Sequence, residues 1–377
     1  MHREAGSADD LVVPAVAGLT PYEPGKPVEE VQRELGLDRV VKLASNEGPF
    51  APFPSALAAI ARSATELNRY PDGGAWALRS ALAERFDVAF EEVLVGAGAD
   101  GIIDCISQAF LEEGDEIVCG WPSFPSYVID ALKLGATPVR VPLRDHRYDL
   151  DALLAAVTPR TKVVYVCLPN NPTGTSNRRD ELDAYFERVP EHVLTVLDQA
   201  YFEYIDDPEY PDGIDDYFKA GDRVAVLRTF SKIYGLAGLR VGWGVAPAAV
   251  ATAVAKVRRA FDITTPAQAA AVASLDDAGE LQRRRRVNAE QREVVVETLR
   301  RHGFECPAPV ANFVYAETGE EDAKPLFDAL LRQGVIVRPL VGFGAPGAIR
   351  VTVGTPEENA LLDEALGRVE AVARGRA

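Results

Sequence analysis

The chain has 377 residues and carries 40 lysines and arginines against 57 aspartates and glutamates, which gives a formal net charge of −17. Nucleic acids and anionic membranes bind best to cationic surfaces, so this balance argues against either as the main partner. The four cysteines and four histidines are scattered without zinc-site spacing, and no apolar run reaches the roughly 18 residues of a membrane span, so we expect a soluble, cytoplasmic protein without a metal ion.

Residues 1–45 are interrupted by prolines and contain one short amphipathic piece at 28–37, which predicts an N-terminal arm. Beyond residue 75, helical periodicity at 75–86 and 102–114 alternates with short β-branched runs. Strands are predicted at 93–95, 116–119, 163–168, 193–197 and 224–227. This alternation predicts an α/β fold, with a mostly parallel central sheet and helices on both faces.

The pattern changes past residue 265, where a long charged helix at 280–301 comes first. It is followed by strands at 312–316, 335–338 and 348–353, a helix at 323–332, and a last helix that opens at Thr355 with a capping box and a proline at its first position. We predict three parts. Residues 1–45 form an arm that joins the small domain, 46–265 form a large cofactor-binding domain, and 266–377 form a smaller α+β domain.

The most informative segment is TFSKIYGLAGLR at 229–240. Lys232 follows a buried strand directly, and a desolvated lysine has a lowered pKa and can bond covalently to an aldehyde. The hydroxyls of Thr229 and Ser231 and the guanidinium of Arg240 can bind a phosphate through charge-assisted hydrogen bonds. Together these groups predict a site for pyridoxal 5′-phosphate.

Three other segments provide groups that such a cofactor requires. Asp198 ends an apolar strand, where a buried carboxylate needs a cationic partner such as a protonated pyridine nitrogen. Asn171, in NPTG at 171–174, offers an amide to the ring hydroxyl, although this segment also encodes an ordinary turn. Gly98, Ala99 and Asp100 precede a predicted helix, whose free N–H groups can bind phosphate.

With these motifs in order, the chain resembles the fold-type-I pyridoxal-phosphate-dependent aminotransferases, in the subfamily that includes histidinol-phosphate aminotransferase. The resemblance covers nearly the whole chain. It rests on KLASNE (42–47), RYPDG (69–73), NNPTG (170–174), the segment at 229–240, ANF (311–313), VIVR (335–338) and IRVTVG (349–354).

The resemblance implies a role for each matching residue. Lys232 would bond to the cofactor and shuttle the proton in a ping-pong mechanism, Asp198 would pair with the ring nitrogen, and Tyr201 and Asn171 would bind the ring oxygen. Phe124 would stack on the ring. The phosphate would be held by Ala99, Asp100, Thr229, Ser231 and Arg240. Tyr70 would reach the phosphate of a neighbouring subunit, which implies a homodimer with shared sites.

For the substrates, the resemblance implies that Arg350 binds the carboxylate of amino and 2-oxo acids, as its bidentate fork suits. Arg338, Tyr22 and Asn46 are candidates for the distal end of the substrate. A surface salt bridge is the alternative for Arg338, but its place at the end of an apolar strand and before a proline favours the substrate role. The expected reaction transfers an amino group from L-histidinol phosphate to 2-oxoglutarate, in histidine biosynthesis.

Departures from the subfamily pattern leave other activities open. Gly101, Gln199 and Phe50 stand where Glu, Glu and Tyr are common, and the segment at 120–124 looks more like aromatic (phenylalanine) aminotransferases of the same subfamily. The main alternative is therefore transamination of aromatic amino acids. A decarboxylase acting on a phosphorylated amino acid, and a cofactor-binding regulatory protein without turnover, are more distant alternatives.

Overall fold

A computed structural model describes residues 11–19 and 25–374 of the chain. Within those residues the strands are β1 (Val41–Lys42), β2 (Val93–Gly96), β3 (Glu116–Trp121), β4 (Thr137–Pro142), β5 (Thr161–Cys167), β6 (Leu194–Asp198), β7 (Val224–Thr229), β8 (Gly242–Val245), β9 (Phe313–Glu317), β10 (Val335–Ile336), β11 (Arg338–Pro339) and β12 (Ala348–Thr352).

The α-helices of the same residues alternate with these strands. They are α1 (Pro14–Ala17), α2 (Val28–Leu35), α3 (Pro54–Ser63), α4 (Trp76–Phe86), α5 (Gly98–Phe110), α6 (Pro125–Lys133), α7 (Leu150–Ala155), α8 (Arg179–Phe186), α9 (Ala248–Val257), α10 (Thr265–Leu275), α11 (Ala278–Arg301), α12 (Lys324–Arg332) and α13 (Pro356–Arg374). None of the helices in the described ranges is long and apolar enough to cross a membrane.

The large sheet has seven strands in the order β2-β8-β7-β6-β5-β3-β4. Every neighbouring pair is parallel except the two that involve β8, which runs antiparallel to β2 and β7. The central strands β5, β6 and β7 are buried almost throughout because helices cover both faces, which explains their continuous β-branched sequences. The predicted α/β fold with a mostly parallel sheet is confirmed.

The small sheet is antiparallel, in the order β11-β12-β9. Residues 335–338, predicted as one strand, divide between two sheets: β10 pairs with β1 from the start of the chain, and β11 pairs with β12. The helix that follows this sheet begins as predicted, because Thr355 and Glu358 exchange side-chain to backbone hydrogen bonds of 3.2 and 2.8 Å.

Two main apolar cores underlie these sheets. One surrounds the seven-stranded sheet and includes α10, which packs on α3. The other joins Val41 and Leu43 of the arm to apolar residues of α11, β9, β12 and α13. We propose from this packing that the large domain extends to Leu275 rather than 265, and that the end of the arm belongs to the small domain.

Candidate active site

A cavity of about 440 Å³ lies where the two sheets meet. Parallel strands end at the same edge of a sheet, so the ends of β5, β6 and β7 bring Cys167, Asp198 and Thr229 to one wall. Arg350 reaches the cavity from β12 of the small sheet and is 4% exposed. The site therefore depends on both sheets.

Most residues predicted from the sequence to bind a cofactor or substrate line this cavity. They are Asn46, Ala99, Asp100, Phe124, Asn171, Asp198, Tyr201, Thr229, Ser231, Lys232, Arg240 and Arg350. Tyr70 and Arg338 do not line it, and Tyr22 lies outside the described residues.

Lys232 follows β7 and extends its amine into the cavity. Its Nζ lies 3.5 Å from the carbonyl oxygen of Ser45 and 5.4 Å from the centre of the Tyr201 ring. Burial, and secondarily the positive charge of Arg350, lower the pKa of Lys232 to about 8. With this pKa roughly a tenth to a fifth of the amine is neutral, and hence nucleophilic, near pH 7, far more than for an ordinary lysine.

Asp198 is a buried carboxylate at the end of β6, 4% exposed. Its Oδ2 accepts a hydrogen bond of 2.6 Å from the Tyr127 hydroxyl, and its Oδ1 accepts one of 3.1 Å from the backbone N–H of Ala200. Burial raises the pKa of Asp198 in spite of these two bonds. A cationic group placed in the cavity would relieve this cost, as a protonated ring nitrogen does.

Arg350 interacts with two other residues of the cavity, Asn171 through a hydrogen bond and Tyr201 through its charge. Arg350 donates to Asn171 Oδ1 and, at 2.8 Å, to the carbonyl oxygen of Ala44. Because the Asn171 oxygen accepts from Arg350, its NH₂ group remains to donate elsewhere. Burial raises the pKa of Tyr201, and Arg350 acts against this rise. Tyr201 therefore carries a proton that it can donate.

A further group of cavity residues offers hydrogen-bond donors and positive charge. Helix α5 begins at Gly98, and no side chain within the described ranges caps its first N–H groups. The Ser231 hydroxyl is buried and has no hydrogen-bond partner among the described residues. Arg240 contacts the same corner, since a Cβ on Gly98 would lie 2.9 Å from its guanidinium. Unpaired donors, a helix N-terminus and a cation together suit a phosphate.

Arg338 and Tyr70 lie outside the lining of the cavity. The Arg338 guanidinium carbon lies 5.6 Å from the centre of the Phe343 ring, and that of Arg350 lies 5.1 Å from the same ring. Phe343, which lines the cavity, is thus in contact range of both arginines. Tyr70 is 82% exposed and stacks on Phe261 with ring centres 4.7 Å apart.

Sequence reasoning missed several side chains of the site. Phe343 ends a single 3-10 turn, Val341–Phe343, between β11 and β12, which is too short to show a periodic pattern. Ser126, Ile129 and Asp130 line the cavity from α6, a helix that was not predicted. A proline directly after Phe124 is a usual first residue of a helix, and this signal could have placed α6 beside the predicted stacking residue.

Comparisons with known proteins agree with this geometry. A model of the family "Aminotransferase class I and II" matches residues 38–368. The chain belongs to this family. The predicted family resemblance is thereby confirmed, and the chain is an aminotransferase by descent.

The similarity extends over nearly the whole of several curated relatives. The chain is 44% identical to a histidinol-phosphate aminotransferase of Anaeromyxobacter, covering 95% of this chain and 99% of that protein. It is 47% identical to an aromatic amino acid aminotransferase of Thermobifida fusca, covering 92% and 93%. The structure of histidinol-phosphate aminotransferase from Sinorhizobium meliloti, in complex with pyridoxal-5′-phosphate, superposes with a TM-score of 0.86 at 29% identity, over 97% of this chain and 98% of that one.

The three departures from the subfamily pattern lie away from the cavity that the described residues form. Gln199 is buried beside Asp198, donates to the carbonyl of Pro211 at 2.9 Å and accepts from the N–H of Gly213 at 3.1 Å. Gly101 faces Ala97, which a Cβ would approach to 3.2 Å. Phe50 packs under the guanidinium of Arg283 at 4.6 Å. These residues therefore act in the scaffold rather than as cavity walls.

Proposed function

We propose that this aminotransferase uses pyridoxal 5′-phosphate to transfer an amino group from L-histidinol phosphate to 2-oxoglutarate in the cytoplasm. One observation carries the proposal: Lys232 with its lowered pKa, the buried carboxylate of Asp198, the start of α5 with Ser231 and Arg240, and the buried Arg350 line a single cavity. The choice of donor is supported by the relatives named histidinol-phosphate aminotransferase.

The cavity fits the cofactor group by group. Ser231, Arg240 and the first N–H groups of α5 would hold the phosphate together with Ala99, Asp100 and Thr229, which also line the cavity. Asp198 would pair with the protonated ring nitrogen. Burial disfavours the charged carboxylate and so raises the pKa of Asp198, and a positive charge beside it would stabilise the charged form. Phe124 offers a ring to stack on, and Tyr201 and Asn171 offer donors to a ring oxygen.

The residues of the chain then divide the chemistry between them. Bound there, the cofactor supplies an aldehyde that takes up amino groups and a ring that delocalises the electrons of a broken C–H bond. Lys232 Nζ would take the proton from the amine-bearing carbon of the donor and deliver it to the former aldehyde carbon of the cofactor, so that the amino group stays with the cofactor; its lowered pKa suits proton transfer near neutral pH. Arg350 would bind the carboxylate of 2-oxoglutarate through its paired N–H groups.

A second candidate donor is an aromatic amino acid. Ile103, Phe124, Ile129 and Phe343 give the cavity an apolar side that would accept an aromatic ring. The 47% identity to the Thermobifida fusca aromatic amino acid aminotransferase also favours this reading.

Steady-state assays with 2-oxoglutarate as the common acceptor would decide between the donors. The donors compared are L-histidinol phosphate, Phe, Tyr, Trp and His, and the product measured is glutamate. We expect the highest kcat/KM with L-histidinol phosphate. A higher kcat/KM with Phe or Tyr would instead assign the second function.

Replacing Arg350 with lysine separates the two substrates. Lysine keeps the charge and loses the bidentate fork, so we expect the KM for 2-oxoglutarate to rise roughly 10- to 100-fold. Histidinol phosphate has no carboxylate, so its kcat/KM, measured in the first half-reaction alone, should change far less. The matched control is Arg368→Lys, because the Arg368 side chain is 60% exposed. Equal losses for both substrates would contradict the assigned role.

Uptake of the cofactor should depend on pH through Lys232. Only the neutral amine attacks the aldehyde, and the neutral fraction rises with pH through the pKa of about 8. After apoprotein is mixed with pyridoxal 5′-phosphate, the rate at which the visible absorption band appears should rise between about pH 7 and pH 9 and then level off. A rate that keeps rising towards the ordinary lysine value of 10.5 would contradict the lowered pKa.

We also propose that two copies of the chain form a homodimer with shared sites. Tyr70 lies outside the cavity of its own chain. Two further aromatic side chains are also exposed, Trp76 (66%) and Phe261 (44%). Tyr70 and Phe261 stack on each other, and apolar side chains that adjoin at the surface are typical of a contact surface. Sedimentation at micromolar concentration should give the mass of a dimer, and a monomer would contradict the proposal.

A further inference from the structure

Asn46 makes an unusual set of contacts for a residue expected at the distal end of the substrate. It is buried and adopts a left-handed backbone with φ of 56°, which asparagine tolerates better than most residues. Its backbone N–H donates to Thr352 Oγ1 at 2.9 Å, and its carbonyl accepts from Asn312 Nδ2 at 3.1 Å. Its side-chain Nδ2 donates to the Tyr201 hydroxyl at 3.0 Å.

These bonds have a fixed direction. Because Thr352 Oγ1 accepts from the backbone N–H of Asn46, its own hydrogen is left to donate, and it donates to Asn46 Oδ1 at 3.3 Å. The Asn46 amide is thereby oriented with its oxygen towards Thr352 and its NH₂ towards Tyr201. The Tyr201 oxygen accepts that bond, so its O–H hydrogen must point elsewhere.

We propose that Thr352 and Asn46 are positioning residues that turn the Tyr201 O–H into the cavity, so that it donates to the ring oxygen of the cofactor. This inference rests on the proposed use of pyridoxal 5′-phosphate. Thr352 lies two residues after Arg350 on β12, and alternate residues of a strand share a face. The strand that carries the carboxylate-binding arginine thus also orients the hydroxyl beside Lys232.

The consequence is measurable in the spectrum of the holoenzyme. A hydrogen bond into the ring oxygen draws negative charge away from the nitrogen that joins Lys232 to the cofactor. Losing that bond leaves more negative charge beside the nitrogen, which then holds its proton more tightly. The pH midpoint of the visible band should therefore rise when the Tyr201 O–H is no longer directed into the cavity.

The test compares pH titrations of the visible band in reconstituted variants. Thr352→Val keeps the shape of the side chain and removes its hydroxyl, and we expect its midpoint to rise by about 0.5 to 1 pH unit. Thr352→Ser keeps the hydroxyl and should titrate like the wild type. Thr352→Ala serves the same purpose as Thr352→Val if the valine variant does not fold.

A double variant separates positioning from a merely structural role. With Tyr201→Phe already present there is no hydroxyl to direct, so adding Thr352→Val should not move the midpoint further. An unchanged midpoint in Thr352→Val, or an equal shift in both backgrounds, would overturn the inference while leaving the proposed function intact. A wild-type protein with no visible band after addition of pyridoxal 5′-phosphate would overturn both.

Discussion

The Lys232→Ala variant is expected to lose both the visible absorption band and transamination. The alanine variant has no amine to bond to the cofactor aldehyde and no base to move the Cα proton. General acid–base catalysis alone contributes up to about 10⁴-fold, so kcat should fall by roughly 10⁴-fold or more. The measurement is the visible spectrum after addition of pyridoxal 5′-phosphate, together with glutamate formation from 2-oxoglutarate.

The matched control for this variant is Lys256→Ala, because Lys256 is an exposed lysine on α9. It should keep the spectrum and rate of the wild type. A Lys232→Ala protein that retained the band would show that another amine bonds to the cofactor, which would contradict the assignment.

The second large effect is expected from Asp198→Asn. Asparagine has a similar shape and can still accept from Tyr127, but it cannot neutralise a protonated ring nitrogen. Removing one partner of a buried ion pair costs about 3 to 5 kcal/mol. Each 1.4 kcal/mol changes a rate about tenfold, so we expect kcat to fall by roughly 100-fold to several thousand-fold.

Single-turnover rates with excess donor would measure this loss without interference from cofactor dissociation. Asp206→Asn is the matched control, since the Asp206 side chain is 80% exposed. An Asp198→Asn enzyme with the rate of the wild type would show that the buried carboxylate has no part in the reaction.

The central sheet could be predicted from the sequence because its strands are buried on both faces. Residues 163–168 and 224–227 are continuous apolar runs, and they correspond to β5 and β7. Helices α3 and α10 were not predicted. Both are rich in alanine, whose small side chain gives little contrast between a buried and an exposed helix face. They pack closely on each other, and this long-range contact leaves no local signal in either segment.

In the site, as in the fold, residues with a local sequence signal could be predicted, whereas contacts between distant segments could not. Lys232 and Asp198 stand at strand ends, where the chemistry of each segment is visible in the sequence. Tyr127 could not be recognised as the partner of Asp198, because their bond joins a helix to a strand that follows much later in the chain. The contacts of Asn46 with Tyr201 and Thr352 likewise depend on the assembly of both sheets.

The most direct test of the account is to run both half-reactions on one sample of reconstituted enzyme. L-histidinol phosphate should abolish the visible band of the Lys232-bound cofactor, and 2-oxoglutarate should then restore it with one glutamate formed per site. A band that amino donors leave unchanged, or that disappears with release of CO₂ from an amino acid and does not return with 2-oxoglutarate, would contradict transamination at Lys232.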